Sequence, residues 1–227
     1  MTDLRALSAD AKRTLAEHVQ QHLRAAILTQ TLQPGDRLDQ NQIAEQLNVS
    51  LAPVREALRV LEAEGLVQII PRRGAFVTRV SIADLNNLYF ARALLEGETI
   101  YHAVLYLTKS DYDVLQQLID RLQQAADSNE VDAYIPLNRE FHLRIYNALQ
   151  NPHLSQMIQQ LWERSELYRY QYMFIAHDNA RIHREHLAIL DACLRRDQAA
   201  AKAAAMAHIE GTQRELERFF AKRLGPT

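Results

Sequence analysis

Cysteine is almost missing from this chain: Cys193 stands alone among 227 residues. A lone cysteine cannot close an internal disulfide, which excludes a disulfide-stapled framework and fits a reducing compartment. It reads as a small buried apolar residue rather than a catalytic thiol. Long apolar runs are missing too. No stretch approaches the ~18 consecutive apolar residues of a membrane span. Met1 to Lys12 holds no apolar core followed by a small-residue cleavage site, so no secretory leader is expected and the location implied is cytoplasmic. Glycine is scarce, with six in all, and after Ser81 only Gly97 and Gly211 precede Gly225. Strand-rich folds need more turn residues than that, so the second part of the chain is expected to be helical. An excess of charge is also lacking, because the net charge is −2. A basic chain built wholly around nucleic acid is excluded, but a local basic face is not. Residues 55–79 carry Arg55, Arg59, Arg72, Arg73 and Arg79 against three glutamates.

What is present begins with helical periodicity. Leu15, Val19, Leu23 and Ile27 recur four apart, which predicts a helix over 14–30 with these residues on its inner face. Pro34-Gly35 marks a turn. Asp39 is expected to cap a short second helix, with Gln42 completing a capping box and Ile43, Ala44 and Leu47 turned inward. After Asn48-Val49, Ser50 is placed to cap a third helix. Pro53 falls in its first turn and Gly65 ends it in a left-handed position. Two strand-like runs follow, 66–70 and 75–80, joined by Pro71-Arg72-Arg73-Gly74 as a hairpin tip. A short helix, a turn, a capped helix and an arginine-tipped hairpin make a winged helix-turn-helix. Such a motif puts the start of its second helix into the major groove. Ser50, Arg55 and Arg59 are the polar candidates there, and Arg72, Arg73 and Gly74 form the wing.

From Ser81 onward the helical period repeats with short breaks. Helices are expected near 83–107, 111–126, 131–149, 153–176, 179–196 and 198–223, the region of Asp178 being one of the breaks. Six helices with short connections make an antiparallel bundle. The alanine-rich run 199–207 is explained by close helix packing. The fold expected is therefore mainly α: residues 1–80 a winged helix-turn-helix, residues 81–227 an all-helical domain.

Nine histidines are present. His142, His186 and His208 fall on three different expected helices, and Asn138 lies one turn before His142 on the same face. Imidazoles converging from facing helices are how bundles build metal sites, and one amide oxygen with three imidazole nitrogens would suit a divalent transition metal. Spacing alone does not single these out, since His177 and His183 are equally available and satisfied or surface histidines are the commoner outcome. Arg92, set among Phe90, Leu94 and Leu95, is either an ion-pair partner of Glu96 or Glu98, or a carboxylate receptor; the residues by themselves favour the ion pair. Trp162, Tyr168, Tyr170, Tyr172 and Phe174 read as core and pocket wall.

Taken together these motifs resemble the GntR family of bacterial transcription regulators, in the FadR-like branch with an all-helical FCD effector domain. In the first domain the likeness rests on Leu32-Gln33-Pro34-Gly35-Asp36-Arg37-Leu38, Pro53-Val54-Arg55-Glu56-Ala57-Leu58, Glu64-Gly65-Leu66-Val67 and Arg73-Gly74. In the second it rests on Arg92, Leu95-Glu96, Asn138, Phe141-His142, Glu185-His186, Asp197 and His208. Six helices resemble the VanR-type subgroup. The resemblance implies a homodimer on double-stranded operator DNA, acting as a repressor and touching DNA through Asn41, Ser50, Leu51, Ala52, Arg55, Arg59, Arg72, Arg73 and Gly74. It also implies a metal (zinc, nickel or manganese) on Asn138, His142, His186 and His208, and a small organic acid gripped by Arg92. Two positions depart from the family pattern: Asn138 where aspartate is usual, and Leu51 where arginine is common. The competing class, a metal-dependent hydrolase with a fused DNA-binding domain, shares the histidines but has no general base beside them. A purely structural DNA-bending protein would need neither the histidines nor Arg92.

Overall fold

The computed structural model describes residues 14–173 and 179–224, with the side chains of 171–173, 179 and 224 left aside. Met1–Lys12, Phe174, His177, Asp178 and Gly225, together with the Tyr172 side chain, lie outside the described residues. The chain divides into two compact units, residues 1–79 and 80–227.

The first unit opens with helix α1 (Leu15–Leu28). Thr14 caps it in a full capping box with Glu17. Its buried face is Ala16, Val19, Leu23 and Ile27, whereas Leu15 is 61% exposed. The expected stripe thus starts one residue late, because the first turn of the helix lies at the edge of the core. Strand β1 (Arg37–Leu38) follows, a two-residue element too short to show a period. Asp39 caps α2 (Gln40–Gln46) by accepting from the backbone N–H groups of Asn41 and Gln42. The Gln42 side chain does not reciprocate, so the expected capping box is only half made. Ala44 is buried, while Ile43 and Leu47 are half-buried.

Helix α3 (Leu51–Ala63) buries Val54, Ala57, Leu58 and Leu61, one stripe at helical spacing. It packs against α1 and α2. Ser50 occupies the cap position with extended backbone, yet its side chain makes no cap hydrogen bond. Local chemistry accounts for half of this. A capping oxygen accepts from the second or third helical N–H, and the third helical residue is Pro53, which has none. At the other end, Gly65 takes φ +78° and the Leu66 N–H reaches the Leu61 carbonyl at 2.9 Å. That is the closing bond of a Schellman motif.

Strands β2 (Val67–Ile70) and β3 (Gly74–Val77) form the hairpin, and β1 pairs with β3 on its other side, in the order β1-β3-β2. Strand β3 ends at Val77 rather than Val80. Arg72 and Gly74 at the tip hold φ +63° and +107°; the tight reversal requires left-handed backbone there.

In the second unit six helices follow: α4 (Ile82–Ala103), α5 (Lys109–Asp127), α6 (Val131–Asn147), α7 (Pro152–Met173), α8 (Asn179–Leu194) and α9 (Gln198–Leu224). Several end two to four residues short of the expected limits. Helix α4 gives way after Ala103 to a turn closed by the Tyr106 N–H on the Ala103 carbonyl at 2.9 Å, ahead of Thr108, which caps α5 in a box with Asp111. Helix α4 packs most extensively on α9. Small residues permit this: a Cβ on Gly97 would stand 2.8 Å from Met206 Cγ, and Ala201 and Ala205 are fully buried. The main core gathers Ile100, Leu115, Leu118, Phe141, Ile145, Trp162, Ile189 and Cys193. Among the described residues, no helix is long and apolar enough to cross a membrane.

Candidate functional site

In the first unit seven of the nine predicted DNA-facing residues are exposed. Asn41 on α2, Ser50, Ala52, Arg55 and Arg59 on α3, and Arg72 and Arg73 at the hairpin tip are all exposed, while Leu51 and Gly74 are half-buried. Arg55 is steadied by donating from Nε to the Gln40 Oε1 at 3.2 Å. Arg37, which sequence reasoning passed over, sits beside the wing: a Cβ on Gly74 would lie 3.6 Å from its Nε. Its only sequence signal was the place it holds in the Gly35-Asp36-Arg37-Leu38 run.

The second unit gathers the histidines. One ligand atom each from His142 on α6, His186 on α8 and His208 on α9 lies within 4.8 Å of the others, and all three residues are buried. The Nε2 atoms of His142 and His186 are 3.3 Å apart. Two ligands of a tetrahedral ion with bonds of ~2.0–2.1 Å stand roughly 3.3 Å apart, so the pair is spaced as such a shell requires. For His208 and His142 the other ring nitrogen is engaged from behind. His208 Nδ1 lies 2.8 Å from Glu185 Oε2, and Arg181 holds the same carboxylate through its other oxygen at 2.6 Å. His142 Nδ1 lies 3.4 Å from the Tyr146 hydroxyl, which donates to Glu96 Oε2 at 2.9 Å. Such outer partners orient an imidazole and leave Nε2 free to ligate. Burial, then the neighbouring His208 and His186, hold the His142 pKa well below the usual histidine value. Burial, then His208 and His183, do the same for His186. Neutral imidazole is the form that binds metal. The donor set therefore fits a divalent transition metal. His183 is half-buried and outside the cluster.

Beside the cluster is a cavity lined by Tyr89, Arg92, Tyr134, Asn138, Trp162, Arg169, His208 and Thr212, with Ile135, Ile182 and Ile209. Asn138 and Arg92 thus share a wall with His208. Arg92 pairs with Glu96, Nε to Oε1 at 2.7 Å, both side chains buried, and Nη1 donates to Ser165 Oγ at 3.4 Å. Glu98, the other partner considered, pairs instead with Lys202. Burial alone would pull the Arg92 pKa down, but Glu96 and Tyr89 outweigh it and leave it raised. Arg92, Glu96, Tyr146 and His142 therefore form a continuous polar chain from the cavity wall to the histidines. The ion pair and the cavity position coexist in one residue, since a guanidinium has five donors. Trp162 and Tyr168 are buried, the latter donating to Asp84 Oδ2 at 2.8 Å; Tyr170 donates to Asp132 Oδ1 at 2.7 Å. Cys193 is buried, its thiol pushed up to about 12 by desolvation, the state of an inert core residue.

A winged helix-turn-helix unit and a six-helix unit with a cavity of its own, carried on one chain, are the layout of a DNA-binding regulator. Residues 15–77 match the family described as bacterial regulatory proteins, gntR family, and residues 87–211 match the FCD domain. The chain is 36% identical over 151 residues to the HTH-type transcriptional regulator McbR of Escherichia coli K12, covering 66% of this chain and 68% of that one. It is 29% identical over 190 residues to the transcriptional repressor RspR of the same organism, 83% and 82% of the two chains. Among solved structures, E. coli McbR/YncC superposes with a TM-score of 0.76 at 29% identity, over 92% of this chain and 99% of that one. A GntR-type regulator from Rhodococcus sp. RHA1 shares the fold at 21% identity, with a TM-score of 0.69 over 88% and 96% of the two chains. The chain belongs to the GntR family and carries an FCD domain. It is a DNA-binding transcription regulator; the families and relatives it matches are regulators and not enzymes, which sets aside the hydrolase reading.

Proposed function

We propose that the protein is a cytoplasmic, homodimeric repressor that leaves its operator when a small carboxylate enters a metal-containing cavity of the FCD domain. The observation that carries this is the meeting of three buried imidazoles, one of which, His208, lines a cavity together with Arg92 and Asn138. Asn138, His142, His186 and His208 hold a divalent transition metal (zinc, nickel or manganese), whose bound form supplies a Lewis-acid anchor for a carboxylate. Arg92 supplies hydrogen bonds to the same acid. Operator recognition falls to Asn41, Ser50, Leu51, Ala52, Arg55 and Arg59, with Arg72, Arg73 and Gly74 at the wing. With leucine at position 51, base reading rests on Arg55 and Arg59.

An effector shifts the DNA-bound state only by its differential affinity for two states. A tenfold loss of DNA affinity needs about 1.4 kcal/mol of coupling, which one rearranged charged hydrogen bond supplies. A thermal-shift screen of small organic acids, with and without zinc, nickel or manganese, tests the reading. An acid present at a thousand times its dissociation constant stabilises by roughly 4 kcal/mol. Absence of any metal-dependent or acid-dependent shift sinks it. Gel-shift titration of Arg55→Ala tests the reading helix, and unchanged operator affinity counts against it.

A further inference from the structure

Arg169 takes no part in the sequence motifs, yet it lines the same cavity as Arg92. Both guanidiniums lie over the Trp162 ring, 4.6 Å from its centroid for Arg92 and 4.3 Å for Arg169. Their situations differ. Arg92 has Glu96 as a counter-ion. Arg169 has no ion pair among the described residues; its protein contacts are the Trp162 ring and a 3.3 Å bond from Nη2 to the Trp162 carbonyl. Its Nε is buried with no hydrogen-bond partner. Two more donors of the cavity wall share that condition, the Tyr89 hydroxyl and Trp162 Nε1. Burial, then the charge of Arg92, pull the Arg169 pKa down to about 10, which still leaves a cation at neutral pH. The nearby carboxylates offset this only in part and make no ion pair with Arg169. Glu96 is committed to Arg92 and Tyr146, and Glu166, three residues back on α7, favours the Arg169 cation only through the field of its charge.

Arg169 is half-buried, but a guanidinium with a buried, unpartnered Nε and no ion pair, beside donors without acceptors, is costly unless an acceptor-rich anion completes the set. Arg92 accounts for one carboxylate of an organic acid. A monocarboxylate would leave Arg169 uncompensated. We infer that the effector is a small dicarboxylate, one carboxylate taken by Arg92 and the second by Arg169. This rests on the carboxylate-pocket reading above and narrows it to acids with two separated anionic groups. The Trp162 ring attracts both cations and holds them at the cavity wall. Tyr89 and Trp162 donate to whichever carboxylate oxygens the guanidiniums leave free.

The test is isothermal titration of the full-length, zinc-loaded protein with straight-chain dicarboxylates of four to six carbons. The matched monocarboxylates, butyrate to hexanoate, serve as controls. At least one diacid is expected to bind ten times more tightly than its monoacid. Arg169→Gln should remove that advantage by weakening the diacid tenfold while changing the monoacid less than twofold, and Arg169→Lys should restore part of it. A melting curve of each variant without ligand confirms that it folds. Equal binding of diacid and monoacid to the wild type overturns the inference, as does a diacid advantage that survives Arg169→Gln. If monoacids bind and diacids gain nothing, only this inference fails. If no acid of either kind binds, the carboxylate-pocket reading falls with it.

Discussion

His142 Nε2 and His186 Nε2 face each other at 3.3 Å across the junction of α6 and α8, inside a shell of Phe141, Trp162 and Tyr146 rings. Two buried ring nitrogens at that distance need something between them. One carries a proton and donates it to the other, or both face an ion.

Elemental analysis distinguishes these. The wild-type protein should carry a divalent transition metal, and His142→Ala/His186→Ala should carry none while remaining helical by circular dichroism. Equal metal content in both proteins would rule the cluster out as the site. Asn138→Asp should tighten metal binding, because a carboxylate is a stronger ligand than a neutral amide oxygen.

Much of this architecture was legible in the sequence. The interior stripe of α1 followed from apolar residues four apart, save that Ala16 takes the place of the exposed Leu15, and Gly65 ended α3 where only left-handed backbone fits. The grouping of His142, His186 and His208 was not legible from periodicity, because which histidine of a helix faces its neighbour depends on rotation about three separate axes. The resemblance selected them over His183, and the fold brings them together. Arg169 escaped notice for a different reason. On α7 it sits between Tyr168 and Tyr170 with no pattern to set it apart, and only the packing of α4 against α7 puts it near Arg92. Strand β1 was missed because two residues carry no period.

Acid should weaken the metal-free protein. His142 and His186 have folded-state pKa values lowered by burial, against about 6.5 when unfolded. Below that value the unfolded chain binds protons that the folded one refuses, so stability rises with pH through this window and is lost as pH falls. Above about pH 7.5 the two states bind equally and the slope vanishes. After chelation, urea unfolding between pH 7.5 and 5 should show a loss of up to about 1.4 kcal/mol per imidazole per pH unit. The double alanine variant should show a shallower slope. A wild-type slope no steeper than the variant's would refute the assignment.

Glu96 carries more than its pairing with Arg92, since its other oxygen accepts from Tyr146. Glu96→Gln keeps the shape but removes the buried charge. Breaking one side of a buried ion pair costs ~3–5 kcal/mol, mostly the uncompensated partner. Urea denaturation at pH 7.5 should register a loss in that range with an unchanged m-value. A loss below ~1 kcal/mol would show that Arg92 finds its counter-ion elsewhere.

The Ser50 hydroxyl separates stability from recognition. A working cap serine is worth ~1 kcal/mol when replaced by alanine. Ser50 makes no cap bond, Pro53 having removed one of the two N–H groups that could donate to it, and its side chain is exposed at the start of α3. Ser50→Ala should therefore change unfolding free energy by less than ~0.5 kcal/mol, the range of an ordinary surface substitution. The same variant should weaken operator binding, since a hydroxyl with no cap bond to the helix remains available to a phosphate oxygen or a base edge. Thermal melting and gel-shift titration of the one variant read both quantities. A clear loss of stability with unchanged DNA affinity would reverse the assignment and make Ser50 a structural cap after all.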